Sequence, residues 1–322
     1  MPKESVRRSG LTMPVVTARF IDHAWRRGCD FIVIDLEDSV PQHLKAHARG
    51  LVKDAIPKVS KGGAEAFTRI NHDTVQADLE GAVWPGLKRI KYPKTEYAEE
   101  VRLLDEIITR LERERGIAPG TVEIDTGIET AVGVSNVFEI AGASPRIKEF
   151  GASTGGYDLS RDLGIEMFVD FDQFVYSKGE AELAARTLGL GVRAAPYVAN
   201  TTGSVSDPDR ALRQAEAARK CGFHLGGGGL NPAVVDGHNV GLTPSEQDLN
   251  DARWVLERHA ELAKTGETWT EIDGRIIDEY EATRARDVLQ WAELCAERDR
   301  EKAEAVARVR TAMAGQDAQV QK

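Results

Sequence analysis

Across the first 242 residues, short apolar runs recur between longer segments whose apolar positions follow helical spacing. The runs are Leu11–Val16, Phe31–Asp35, Ala66–Ile70, Arg89–Tyr92, Val122–Ile128, Glu149–Ala152, Gly191–Pro196 and Phe223–Leu225. Each is too short for a buried helix and lacks strict polar alternation, the pattern of a parallel strand covered on both faces. Helical material follows, as in Ala18–Arg27, Leu44–Ile56 and Pro208–Lys220. Strands alternating with helices are βαβ units. An open doubly wound sheet gives the same local pattern, but eight strands in about 225 residues fit an α/β (β/α)8 TIM barrel better.

After Leu242 the pattern changes. Thr243-Pro244-Ser245-Glu246 reads as a helix start, with a hydroxyl cap, a proline at the turn and an acid in the first turn. A helix is expected over 246–263, then a Gly-containing turn over 265–274 and a second helix from Asp278 to Ala307. The expected division is therefore a barrel over 1–242 and a helical extension over 243–322. The last stretch, roughly fifteen residues without apolar periodicity, is expected to fray.

Composition narrows the function classes. Hydrophobic residues make up 41% and charged residues 29%, enough apolar material for a sizeable core. A formal net charge of −10, from 42 basic and 52 acidic side chains, argues against a nucleic-acid surface. It leaves room for an anionic substrate, because one pocket can be locally basic. Cys29, Cys221 and Cys295 are scattered, which suits neither a disulfide framework nor a structural zinc site. The first ten residues are basic without an apolar stretch, so no signal peptide is expected. No apolar run is long enough to span a bilayer. The expectation is a cytoplasmic protein with no membrane partner.

In a barrel, chemistry sits where strands end, on the carboxyl-terminal face. The second strand ends in Asp35-Leu36-Glu37-Asp38-Ser39, and the third in Arg69-Ile70-Asn71. An Arg there can clamp a substrate carboxylate or pair with the neighbouring acids. The fifth strand runs into Ile128-Glu129-Thr130, and the sixth is followed by Tyr157-Asp158-Leu159. Two carboxylates on adjacent strand ends suit Mg2+, a hard ion that leaves its other positions to water and substrate; Mn2+ is a further option. Lys91 and Lys94 flank the fourth strand. A Schiff-base lysine requires a desolvated pocket, of which the sequence gives no sign.

The block Cys29-Asp30-Phe31-Ile32-Val33-Ile34-Asp35-Leu36-Glu37-Asp38-Ser39-Val40 resembles the HpcH/HpaI aldolase–citrate lyase family, in the branch of citrate lyase β-subunits, malyl-CoA lyases and citramalyl-CoA lyases. Arg69-Ile70-Asn71, Ile128-Glu129-Thr130-Ala131, Ala143-Ser144-Pro145-Arg146, Asp158-Leu159-Ser160-Arg161-Asp162-Leu163-Gly164 and Asp273-Gly274-Arg275-Ile276-Ile277-Asp278 follow in that family's order. The resemblance implies Glu129 and Asp158 as magnesium ligands, and Arg69 as the group that holds the oxo-acid and steadies developing charge. It implies Glu37 and Asp38 as the acids that orient that arginine and the metal's waters. Asn71 and Gly156 are implied at the substrate. Asp278 matches a carboxylate donated to a neighbouring subunit's site, with the C-terminal segment as a lid in trans of a homotrimer or homohexamer. The implied reaction cleaves or forms a 3-hydroxyacyl-CoA, such as malyl-CoA or citramalyl-CoA, from an oxo-acid and acetyl-CoA.

Three departures stand against the family pattern. The first strand ends in Met13-Pro14-Val15-Val16, the Gly155-Gly156 region is longer, and the eighth strand runs into Gly226-Gly227-Gly228-Gly229. Such a run can cradle phosphate through backbone N–H groups or serve as a plain turn. Two alternatives therefore stay open: a metal-dependent aldolase on free 4-hydroxy-2-oxo acids, and a partner-dependent subunit that binds an oxo-acid.

Overall fold

The computed structural model describes residues 5–151, 157–166, 174–193, 206–226 and 228–320. The strands β1 (Gly10–Pro14), β2 (Phe31–Asp35), β3 (Glu65–Arg69), β4 (Leu87–Tyr92), β5 (Glu123–Thr126), β6 (Glu149–Phe150), β7 (Gly191–Val192) and β8 (Gly228–Gly229) alternate with helices. Six of them form one parallel sheet in the order β5-β4-β3-β2-β1-β8. β6 and β7 form a separate parallel pair. A parallel bridge joins Arg193 to Leu225, just ahead of β8. The described strands thus make an α/β fold built on a parallel sheet.

Period-two alternation divides each strand between two faces. On β2, Ile32 and Ile34 pack into the main core with helix residues such as Val52, Ile56 and Val101. Phe31 and Val33 face the other way and form a small cluster with Phe67. This inner face is rich in charge. Arg7 Nε lies 2.5 Å from Glu65 at the start of β3, and its Nη1 lies 2.9 Å from Glu123 on β5 and 2.5 Å from Glu149 on β6. Arg89 on β4 pairs with the same Glu123 and Glu149. A flat sheet would hold β3 and β6 about 14 Å apart. One guanidinium reaches both, so the strands curl around it.

The eighth strand differs from expectation. Leu225 makes only the bridge to Arg193, and the regular pairing falls on Gly228–Gly229 opposite Gly10 and Leu11. Gly226 donates its N–H to Arg7 O at 2.8 Å, and a Cβ there would lie 1.8 Å from Arg8 O. Gly226 therefore serves the close approach of two backbones.

Two compact units are distinguished, one of Arg7–Leu242 with the chain from Lys302 onward, the other centred on Thr243–Glu301. In the second, the helix Glu246–Thr265 is capped by Ser245, whose hydroxyl accepts from Asp248 N. The expected turn over 265–274 is instead an antiparallel hairpin, β9 (Trp269–Ile272) and β10 (Arg275–Asp278). Asp273 and Gly274 both adopt positive φ, the requirement of a two-residue hairpin turn. Ala252, Val255, Ile277 and Ala285 form this unit's core. The final helix runs Glu279–Val320. On it Lys302, Ala305 and Val309 are buried, and Lys302 Nζ meets Asp30 at 2.5 Å. No helix among the described residues is long and apolar enough to cross a membrane.

Candidate active site

Arg69 closes β3 in register with Asp35, which closes β2. Asp35 is fully buried and takes a two-pronged grip on the guanidinium, Nε to Oδ1 at 2.7 Å and Nη2 to Oδ2 at 2.8 Å. The turn Leu36–Ser39 wraps the same carboxylate: the amides of Glu37 and Ser39 each donate at 3.1 Å, and the Ser39 hydroxyl donates as well. Burial alone would raise this carboxyl, but the Arg69 guanidinium, the Ser39 hydroxyl and the Glu37 amide hold it below the usual range. Asp35 is thus the principal orienter of Arg69.

The third guanidinium nitrogen meets the two acids expected from the sequence. Arg69 Nη1 lies 2.8 Å from Glu37 Oε2 and 3.3 Å from the exposed Asp38 Oδ2. Glu37 Oε1 accepts from Lys94 Nζ at 2.9 Å. Lys94 adopts φ 50°, a left-handed backbone that a non-glycine residue enters at a cost. Burial pushes the Glu37 carboxyl up, and its bond to Asp38 adds to this, while Arg69 and Lys94 pull it down. Glu37 Oε2 is buried and has no well-directed hydrogen bond among the described residues. Such an oxygen suits a water or a substrate hydroxyl.

Glu129 and Asp158 follow β5 and β6. Glu129 folds back over Gly127: a Cβ there would lie 2.8 Å from Glu129 Oε1 and 3.0 Å from Pro93 Cα, beside Lys94. Asp158 stands in the first turn of the helix Tyr157–Asp162. Asp162, one turn on, accepts from Ala131 N at 2.7 Å and ties that helix to the Glu129 loop. Asp158 also raises the proton affinity of Lys94 through their electrostatic attraction, so the two lie within charge range. Among the described residues no group of three or more His, Cys, Asp or Glu side chains could hold a metal ion. Two carboxylates are a number of protein ligands that a hard cation keeping most of its water can take.

Other sequence candidates stand differently. Asn71 is buried and committed: its amide nitrogen donates to Leu36 O and Asp78, and its oxygen accepts from Lys45. It braces the ends of β2 and β3. Asp278 ends β10 and caps the final helix, accepting from Glu281 N at 2.9 Å. Gly156 lies outside the described residues. Arg146, from the Ala143–Arg146 motif, is a buried clamp on Asp105 and Glu112 of the helix Ala98–Glu114. Asp35 and Lys94 went unassigned in the sequence. The signal for Asp35 was its period-two phase with Phe31 and Val33; Lys94 offered none.

The geometry and the comparisons point the same way. The family described as HpcH/HpaI aldolase/citrate lyase matches residues 8–227. The citrate lyase subunit beta of Leuconostoc mesenteroides subsp. cremoris is 29% identical over 295 residues, 91% of this chain and 95% of that one. The L-malyl-CoA/beta-methylmalyl-CoA lyase of Cereibacter sphaeroides is 28% identical over 290 residues, 82% of this chain and 88% of that one. The fold resembles that of the CitE protein of Mycobacterium tuberculosis solved with magnesium, acetoacetate and coenzyme A. That likeness has a TM-score of 0.65 at 22% identity, over 88% of this chain and 97% of that one. With the matched region spanning every strand end that carries Arg69, Glu37, Glu129 and Asp158, the chain belongs to the HpcH/HpaI aldolase/citrate lyase family.

Proposed function

We propose that this chain is a magnesium-dependent carbon–carbon lyase that cleaves or forms a 3-hydroxyacyl-CoA from an oxo-acid and acetyl-CoA. The observation that carries the reading is Arg69, gripped by Asp35, Glu37 and Asp38, with Lys94 bonded to Glu37 and within charge range of Asp158. The eight strands are taken to close into a (β/α)8 barrel, supported by the shared grip of Arg7 on β3, β5 and β6 and by the Arg193–Leu225 bridge. The relatives named for citrate and malyl-CoA chemistry, and a neighbour crystallised with magnesium and coenzyme A, support the substrate class.

Glu129 and Asp158 would hold Mg2+, and a bound Mg2+ lowers the pKa of a chelating hydroxyl and fixes its carboxylate. Arg69 binds the oxo-acid end with its exposed edge while Asp35 keeps the fork oriented. In cleavage, Glu37, whose proton affinity burial has raised, takes the hydroxyl proton. The bond between the carbinol carbon and the thioester α-carbon then breaks, leaving the oxo-acid and a thioester enolate. Arg69 and Lys94 meet the developing negative charge. Asp278 of a neighbouring subunit, brought by the lid of a homotrimer or homohexamer, protonates the enolate carbon to give acetyl-CoA.

The test incubates purified protein and MgCl2 with malyl-CoA, citramalyl-CoA and free 4-hydroxy-2-oxo acids, with products followed by mass spectrometry. Cleavage of the free acids alone overturns the acyl-CoA assignment. Glu129→Gln and Asp158→Asn should each lose Mg2+ binding in calorimetry while the far-UV circular dichroism stays unchanged. Asp278→Asn should bind Mg2+ normally yet fail to turn over; loss of the metal there rules out the lid role.

A further inference from the structure

The turn that carries Glu37 and Asp38 is fastened by an ammonium that answers no carboxylate. Lys45, half-buried, opens the helix Lys45–Val59 and reaches back to the end of β2. Its Nζ donates to Leu36 O at 3.1 Å, to Glu37 O at 3.0 Å and to Asn71 Oδ1. The three donors of an ammonium thus meet three oxygens, all of them neutral. Neither an ion pair nor the helix accounts for a lysine here. Among the described residues Lys45 bonds only to those three oxygens, and a cation in a helix's first turn sits at the unfavourable end of its dipole.

The effect of the ammonium follows from the peptide planes. In a trans peptide the N–H points opposite to the carbonyl before it. With Leu36 O turned onto Lys45, the Glu37 N–H is turned onto Asp35 Oδ1, at 3.1 Å. That same oxygen holds Arg69 Nε at 2.7 Å. The Glu37 carbonyl, on the same Nζ, fixes the backbone of the residue whose carboxylate meets Arg69 and Lys94. Asn71 joins this point to β3, because its Nδ2 also donates to Leu36 O, at 2.9 Å. The turn itself survives without the lysine: Leu36 O keeps Asn71 Nδ2, and Glu37 O keeps Val40 N at 3.0 Å. Lys45 adds aim.

We propose that Lys45 is a positioning residue for the lyase site, a tethered cation in a cage of Leu36 O, Glu37 O and Asn71 Oδ1 that sets the aim of Glu37 and Arg69. The inference rests on the reading of Glu37 as the group that takes the proton and Arg69 as the group that holds the oxo-acid. Backbone carbonyls are also the ligands that replace the water of a monovalent cation. A cage emptied of its lysine should therefore accept free ammonium. Misplacing reacting groups by about 1 Å costs about a hundredfold in rate; with both carbonyls keeping a second donor, the loss should be nearer tenfold, a figure of about that order.

The test is Lys45→Ala, assayed in MgCl2 on whichever acyl-CoA or free oxo-acid the wild type cleaves, at matched ionic strength in ammonium chloride or tetramethylammonium chloride. In tetramethylammonium, too bulky for the cage, kcat should fall about tenfold while KM moves less than about twofold. Ammonium should return kcat to within about threefold of wild type. It should also raise the melting temperature of the variant by roughly 2 °C or more and leave the wild type unmoved. Lys45→Met fills the space and should show the same kcat loss with no response to ammonium. Lys45→Gln keeps a neutral donor on a shorter stem and guards against misfolding of the Ala variant; its loss should again fall on kcat. A wild-type kcat in these variants, a loss carried by KM, or equal effects of the two cations on Lys45→Ala overturns the proposal and leaves Glu37 and Arg69 in their roles. If the wild type cleaves no substrate, the lyase reading fails and the positioning role with it, while the melting shift still decides the cage.

Discussion

Asp35→Asn tests whether the buried carboxylate, rather than the two acids after it, holds Arg69. The substitution keeps shape and removes charge. Asp35 accepts five hydrogen bonds: two from Arg69, two from backbone amides and one from Ser39. An asparagine must turn its NH2 toward some of those donors, which leaves at least one donor facing another. Removing one partner of a buried pair costs about 3–5 kcal/mol. Arg69 keeps Glu37 and Asp38 and is 21% exposed, which favours the lower end, about 3 kcal/mol. For a domain this size that predicts a melting temperature lower by roughly 6–12 °C. With the fork no longer fixed, kcat should fall about a hundredfold, the scale of losing one charge-stabilising donor, with a smaller change in KM. Arg69→Lys gives the complementary case: the charge remains, the fork is lost, and kcat should drop similarly at a small stability cost. The measurements are thermal circular dichroism and steady-state lyase kinetics in MgCl2. An Asp35→Asn protein that melts within about 1 °C of wild type and keeps its kcat refutes the assignment.

Two further outcomes follow from the charged inner face and from backbone approach. Burial would raise Glu123, but Arg89 and Arg7 hold it at about 2, and Glu149 is lowered by the same pair. A lowered folded pKa gives stability that is present above the ordinary carboxyl value and lost as pH falls through the folded one. Glu123 alone should account for about 3 kcal/mol lost between pH 4.5 and 2. Arg89→Met should reduce stability at pH 7 and flatten that acid slope in urea titrations at stepped pH; an unchanged slope counts against the cluster as its source. Gly226→Ala should lower the urea midpoint sharply or abolish soluble expression, since its Cβ would meet Arg8 O at 1.8 Å. Gly50→Ala, on an open helical surface with nothing within 4 Å, should gain about 0.5–1 kcal/mol; equal behaviour of the two variants refutes the close-approach argument.

How much of this could be read from the chain depends on which face of each strand carried the signal. β2 was legible end to end because both faces are apolar until Asp35. β3, β4 and β5 hid their inner faces, since Glu65, Arg89, Lys91, Glu123 and Asp125 look like solvent-facing charge when no partner is in view. Each is neutralised by a residue 34 or more positions away: Arg89 by Glu123, Lys91 by Asp125, Arg7 by Glu149. Local periodicity carries no information about such distant pairing, so the interior reads as surface. The candidate site was partly legible for the opposite reason. Arg69, Glu37, Glu129 and Asp158 lie at strand ends or in the loops just after, where polar residues interrupt apolar runs and chemistry is expected. Asp35 escaped because it is the last residue inside a strand, and its charge was credited to the turn that follows. Lys91 and Arg193 escaped because their meaning is relative. A cation on a strand is unremarkable until its carboxylate comes into view, and for both of these that carboxylate is Asp125 on β5.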